Sequence, residues 1–155
     1  MNTIIITGSV GTGKTTLAKK IAKTLSFKHI DVNQIIKEEK LYDSYDRKQK
    51  SFVVDTKKLN KKLIELIKSS KINLIIDSHL SHYLPKRYVD LCIVTKCNLK
   101  ELEKRLKKRG YNKAKIRENL DCEIFDVCLN EAMKKGHKIK IFDTTNGIKS
   151  NNLRL

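Results

Sequence analysis

The chain has no tryptophan, one proline (Pro85), six glycines and only 6% aromatic residues. So little proline and glycine excludes collagen-like and low-complexity classes. No apolar run approaches the roughly 18–20 residues needed to span a bilayer, so no membrane association is expected. Met1-Asn2-Thr3-Ile4-Ile5-Ile6-Thr7 lacks the basic flank and cleavage site of a secretory signal. The expectation is an intracellular protein. Cys92, Cys97, Cys122 and Cys128 form no C-x-x-C pair and no cluster with zinc spacing. They are expected to be small hydrophobes of a reducing compartment. Arginine is also scarce: positions 47, 87, 105, 109, 117 and 154 supply six of the 34 cationic residues. Against 17 acids the net charge is +17. That excess fits a polyanionic partner, or a lysine-rich composition with no partner behind it. Lysine attracts anions without fixed geometry, whereas arginine grips them bidentately, so the few arginines carry more information.

What is present is an alternation. Thr3-Ile4-Ile5-Ile6-Thr7, Ile72-Asn73-Leu74-Ile75-Ile76-Asp77, Leu91-Cys92-Ile93-Val94-Thr95 and Ile139-Lys140-Ile141-Phe142-Asp143 predict buried strands. His29-Ile30-Asp31-Val32 predicts a shorter one. Leu17, Ile21 and Leu25 recur at helical spacing, as do Leu59, Leu63 and Ile67. Asn33 to Lys40 predicts a short helix. Asn98 should cap a helix through Arg109, with Glu101 reaching back in a capping box. Ile116, Leu120, Ile124, Cys128 and Ala132 predict one long helix ending at Gly136. Leu41 to Ser51 is polar and expected to be mobile, Ser78 to Arg87 a loop, and the tail from Gly147 frayed. The pattern implies one α/β domain over 1–155, with a five-stranded parallel sheet and helices on both faces.

Gly8-Ser9-Val10-Gly11-Thr12-Gly13-Lys14-Thr15 matches G-x-x-x-x-G-K-[ST] between a strand and a helix. Gly8, Gly11 and Gly13 allow a turn whose backbone N–H groups, that of Thr12 included, point at phosphate oxygens. The helix that follows brings its positive end to the same place. Lys14 should reach the β- and γ-phosphates of ATP, Thr15 should bind Mg²⁺, and Thr16 should donate near the α-phosphate. Asp77 ends a buried strand, as a Walker-B acid does, and is the second expected Mg²⁺ ligand. His79, two residues on, could orient a water or meet the γ-phosphate. His82 has no such neighbour and is expected at the surface. Arg105 and Arg109 lie one helical turn apart before Gly110 and suit a lid that closes over a triphosphate. Either could instead complement the helix dipole.

These residues resemble the adenylate kinase isoenzyme 6 family. The likeness rests on Gly8–Thr16, Glu38-Glu39-Lys40-Leu41-Tyr42-Asp43, Asp77-Ser78-His79, Pro85-Lys86-Arg87, Arg105-Leu106, Arg109-Gly110-Tyr111, Glu118-Asn119 and Glu123-Ile124-Phe125. It implies a P-loop fold with a monophosphate-binding region over about 31–54 and a lid over about 108–118. It implies ATP contacts at Gly11, Gly13, Lys14, Thr15, Thr16 and Arg109, with AMP as acceptor and ADP as product. It also implies ATPase activity, and a role in small ribosomal subunit maturation with a ribosomal protein and pre-ribosomal rRNA as partners. A monomer is expected, in nucleus and cytoplasm if the source is eukaryotic and in the cytoplasm if archaeal. The chain departs from the family at Asn33-Gln34, where Gly-Asp is usual, and at Ser78, where an aromatic is common. Two other readings remain: an ATPase switch in ribosome assembly, and a small-metabolite kinase on the same fold, such as a shikimate or dephospho-coenzyme A kinase. A non-enzymatic RNA-binding module would leave the P-loop idle.

Overall fold

The computed structural model describes residues 2–47 and 51–149. Five parallel strands form the central sheet in the order β2-β5-β1-β6-β7. These are β2 (Lys28–Asp31), β5 (Leu74–Asp77), β1 (Thr3–Thr7), β6 (Leu91–Lys96) and β7 (Ile139–Asp143). β1 is central, and all five of its residues are buried. Alternation along the strands then divides the core. Ile5, Ile76, Cys92 and Val94 face α2 (Val32–Glu38), α3 (Thr56–Ser69) and α6 (Val127–Lys134). Ile4, Ile6, Ile75 and Ile93 face α1 (Lys14–Leu25), where Leu17, Ala18, Ile21 and Ala22 meet them. Each fully buried isoleucine or leucine contributes about 1.5–3 kcal/mol, so these two faces dominate the stability. A third cluster, Cys97, Leu102, Leu106 and Ile116, packs α4 (Leu99–Lys108) on α5 (Lys113–Ile124), with Val10 of the glycine-rich turn against it.

The parallel sheet and its flanking helices are as expected, and the differences are local. Val32 begins α2 instead of ending β2, because the Asp31 carboxylate accepts from the N–H groups of Asn33 and Gln34 and starts the helix there. Tyr42–Asp46 and Ser51–Val54 form an antiparallel hairpin, β3 and β4, where a mobile segment was expected. Its polar composition concealed a ring cluster: Phe52 lies 4.3 Å from Tyr42 and 5.2 Å from Tyr45 between centroids. A register irregularity between Tyr42 and Ser44 breaks the period-2 alternation that would have revealed it. The single long helix expected up to Gly136 is two helices. Asp126 has φ 50°, in the left-handed region, and separates α5 from α6. Its carboxylate pairs with Lys96, which holds the corner.

Asn98 caps α4 as expected, accepting from the Glu101 N–H at 2.8 Å. The Glu101 carboxylate does not complete a capping box; it accepts from Arg105 Nε at 3.0 Å. The Ser78–Arg87 loop contains two short 3₁₀ turns, Ser81–Tyr83 and Lys86–Tyr88. Of the tail, Ile148 packs against the α1 face of the core and its carbonyl accepts from Lys20 Nζ. Cys92 and Cys97 are buried, and Cys122 and Cys128 half-buried, all four as free thiols. No helix among the described residues is long and apolar enough to cross a membrane.

Candidate active site

The glycine-rich turn leaves β1 and enters α1, and its conformation demands its glycines. Gly8 has φ 145°, and a Cβ there would lie 2.3 Å from Thr95 Oγ1 and 2.7 Å from Thr95 O. Gly13 has φ 85° and precedes α1 without any side-chain cap. The first-turn N–H groups are thus left for an anion. Lys14 folds back across the loop and donates to Gly8 O and Ser9 O, both at 2.9 Å. Thr15 and Thr16 are exposed at the start of the helix, with free access for a ligand. Thr12 is buried. Its hydroxyl donates to Ser9 O at 2.7 Å and lies 2.7 Å from Thr95 Oγ1.

Asp77 ends β5 beside β1, level with Ile6, and is 3% exposed. Its Oδ2 lies 3.2 Å from Nε2 of His29 on β2. Burial lowers the Lys14 pKa to about 8, against the opposing pull of Cys128 and Asp77, and Arg109 lowers it further. The same charges place Asp77 and Arg109 within electrostatic reach of the loop lysine. His79 is open to solvent on one side, yet enough protein surrounds it that desolvation, then Lys14 and His82, hold its pKa at about 4. Its ring is therefore neutral at pH 7. Lys14, Asp77, His79 and Arg109 accordingly share one side of the sheet, at the carboxyl ends of the strands, where ligands bind in such folds.

Two expectations fail here. His82 is not at the surface but 1% exposed. Its Nδ1 lies 2.7 Å from Thr7 Oγ1 and its Nε2 2.8 Å from Glu131 Oε2, so it is a strut between β1 and α6. Arg105 is not a free lid arginine. It donates to Thr144 Oγ1 at 3.1 Å and Thr144 O at 2.7 Å, and Glu101 holds its Nε. Thr144 in turn donates to Thr12 O at 2.7 Å, so Arg105 supports the phosphate loop through the segment after β7. Arg109 is exposed, ends α4, and makes no ion pair among the described residues. Gly110 follows with φ 73° and open space around it.

Sequence reasoning missed four residues that shape the site: His29, Thr95, Thr144 and Glu123. Their contacts with the loop or with Asp77 span 48 to 132 positions. No local spacing could reveal them. Glu123 alone fell within a recognised stretch, Glu123-Ile124-Phe125, and only as part of the family resemblance.

Thr15 and Asp77 suit Mg²⁺: a hydroxyl and a carboxylate are hard oxygen donors, and two are enough for a cation that keeps waters and takes substrate phosphates. They are too few for a resident metal cage, and no cluster of three or more His, Cys, Asp or Glu capable of one occurs among the described residues.

Comparison with known proteins places the chain. The AAA domain family matches residues 4–126. A Dictyostelium discoideum protein named adenylate kinase isoenzyme 6 homolog is 40% identical over 129 residues, covering 83% of this chain and 73% of its own. The chain belongs to the adenylate kinase isoenzyme 6 family. A Caenorhabditis elegans member named in the same way is 36% identical over 129 residues, covering 83% of this chain and 71% of its own. A Methanocaldococcus jannaschii protein, named provisionally as an adenylate kinase, is 42% identical over 143 residues, covering 92% and 77%. The family's fold extends to distant kinases. A Bacteroides thetaiotaomicron shikimate kinase structure aligns with a TM-score of 0.57 at 18% identity, over 92% of this chain and 85% of that one. That likeness is one of fold alone.

Proposed function

We propose that the protein transfers the γ-phosphoryl group of ATP to a nucleoside monophosphate, with AMP the acceptor, and that it also hydrolyses ATP. The observation that carries this is Lys14. Its ammonium lies across the glycine-rich loop on the Gly8 and Ser9 carbonyls, in electrostatic reach of the Asp77 carboxylate, in a family whose named members are adenylate kinases. In the transfer, an AMP phosphate oxygen forms the new bond to Pγ. The bond from Pγ to the β–γ bridging oxygen breaks, and two ADP result. Phosphoryl transfer needs positioning and charge stabilisation more than covalent help. Lys14 and the N-terminus of α1 hold the β- and γ-phosphates. Arg109 closes on them, with Gly110 as the hinge. Asp77 and Thr15 would hold Mg²⁺, which would neutralise phosphate charge. The neutral His79 ring orients the acceptor oxygen or a water. The hairpin of β3 and β4, between α2 and α3, belongs to the monophosphate-binding region.

The test is steady-state ATP turnover with and without each nucleoside monophosphate, resolving ADP formed by transfer from free phosphate. Stimulation by AMP with two ADP per ATP supports the kinase. Free phosphate with no response to any monophosphate rejects it.

A second reading gives the same site to an assembly factor: an intracellular ATPase that binds a small-subunit ribosomal protein and rRNA. The net charge of +17 favours it. Turnover rising with pre-ribosomal particles and not with AMP would select this reading.

A further inference from the structure

Glu123 is a carboxylate in the last turn of α5, 6% exposed, on the helix that follows the lid turn. Three donors converge on it. Ser9 Oγ of the phosphate loop donates to Oε2 at 2.8 Å. The Cys97 N–H donates to Oε1 at 3.0 Å, and Lys96 Nζ lies 3.0 Å from the same oxygen. Such a buried acid is costly unless every oxygen is used, and here both are. Lys96 continues to the Glu123 carbonyl and to Asp126, which fixes the corner where α5 turns into α6.

Ser9 is the residue through which this reaches the nucleotide. Its carbonyl accepts from Lys14 Nζ, from Thr12 Oγ1 at 2.7 Å and from the Thr12 N–H at 3.3 Å. Rotation of this one residue would therefore move the loop lysine and the buried Thr12 together. Among the described residues, the anchor of its side chain is Glu123. We propose that Glu123 is a positioning residue for ATP: through its hydrogen bond to Ser9 it sets the phosphate loop, and it links that loop to the helix that carries the lid.

The proposal rests on the reading of Gly8–Thr15 as an ATP phosphate site, and its test reads ATP binding, not transfer. Binding of a fluorescent ATP analogue is measured for the wild type, Ser9→Ala, Ser9→Thr, Glu123→Gln and the Ser9→Ala/Glu123→Gln double variant, with Tm and the KM for AMP alongside. A buried hydrogen bond to a charged group is worth enough that each of Ser9→Ala and Glu123→Gln should weaken ATP binding about tenfold. The double variant should be no weaker than the weaker single, since Ser9→Ala removes and Glu123→Gln discharges the same charge-assisted hydrogen bond. The KM for AMP should stay within about twofold in all of them. Ser9→Thr keeps the hydroxyl and should bind ATP more tightly than Ser9→Ala. Losses that multiply to about a hundredfold in the double variant would overturn the proposal, because the two side chains would then act independently. So would unchanged ATP binding in Ser9→Ala. If Glu123→Gln does not fold, the Ser9 pair decides alone: equal binding by Ser9→Ala and Ser9→Thr overturns the proposal. A wild-type chain that binds the ATP analogue but gives no transfer to AMP rejects the acceptor assignment and leaves this test standing.

Discussion

Lys14 shows how one side chain ties site chemistry to stability. Burial holds its pKa at about 8, against an ordinary 10.5. Between those values the unfolded chain binds a proton that the folded chain has released. Stability of the nucleotide-free protein therefore rises with pH over that window as far as this group is concerned. Lys14→Met removes the effect. The melting-temperature gap between wild type and Lys14→Met should shift toward wild type between about pH 8 and pH 10. A gap constant across the range would show that the ammonium is not held down. Lys14→Met should also lack measurable phosphotransfer, since a preorganised charge of this kind is worth roughly 3–4 kcal/mol of barrier. At Gly8 the constraint is steric. The Thr95 hydroxyl that a new Cβ would strike is itself tied to Thr7 O at 3.1 Å and sits against Thr12, so it cannot give way. Gly8→Ala should cost roughly 2–4 kcal/mol, lowering Tm by about 5–15 °C for a chain of this size. Thermal denaturation checks it, and a shift under about 2 °C would mean that the loop relaxes.

At the scale of elements, α4 carries two arginines with separate duties. Arg105 is fixed to Thr144 and Glu101, whereas Arg109 is exposed at the helix end. Arg105→Lys keeps the charge but loses the fork that spans Thr144 Oγ1 and O, so it should lower Tm by a few degrees. Arg109→Lys should leave Tm within about 1 °C and lower ATP turnover about tenfold or more, because the fork is needed only when nucleotide is bound. Thermal shift and kinetics on both variants decide the matter. If Arg109→Lys lowers Tm and spares turnover, the arginine is a helix-end cation only. The same helix shows what a sequence can tell. Its span, its Asn98 cap and its buried Leu102 and Leu106 follow from local spacing, because local spacing is what makes them. The destination of Arg105 does not, because Thr144 lies 39 residues on. The P-loop was legible for the first reason, and its braces at Thr95, Glu123 and Thr144 were hidden for the second. The β3–β4 hairpin was missed because alternation fails at an irregular register, and the α5–α6 corner because a left-handed aspartate leaves no mark in a helical pattern.

For the molecule as a whole, the unbalanced charge is the dominant long-range property. Lys104, Lys107, Lys108 and Lys113 are exposed along the end of α4 and the start of α5, near Arg109. Cations presented in this way should bind RNA by counterion release. Log affinity should then fall linearly with log salt, at a slope of roughly −0.7 to −0.9 per phosphate neutralised. Filter binding of a structured RNA at several salt concentrations measures it. A flat dependence, or no binding at low salt, would leave the lysine excess as composition alone. ATP should compete for the fraction of this binding that involves Arg109.

The hydroxyl of Thr144 meets the carbonyl of Thr12 across 132 positions of chain. On the ribosome the glycine-rich turn emerges 132 positions ahead of this fastening. At roughly 5–20 residues per second, about 7 to 26 seconds separate the two. In the earlier part of that interval Ile4-Ile5-Ile6 has no neighbour on one edge until β5 is made, and none on the other until β6 is made. Until then the apolar central strand of a nascent chain is open to aggregation. ATP cannot serve as a template for folding during this time, because its cradle is not assembled until the chain has been extended past Thr144. Ligand rescue of a destabilised variant should accordingly act after synthesis and not during it.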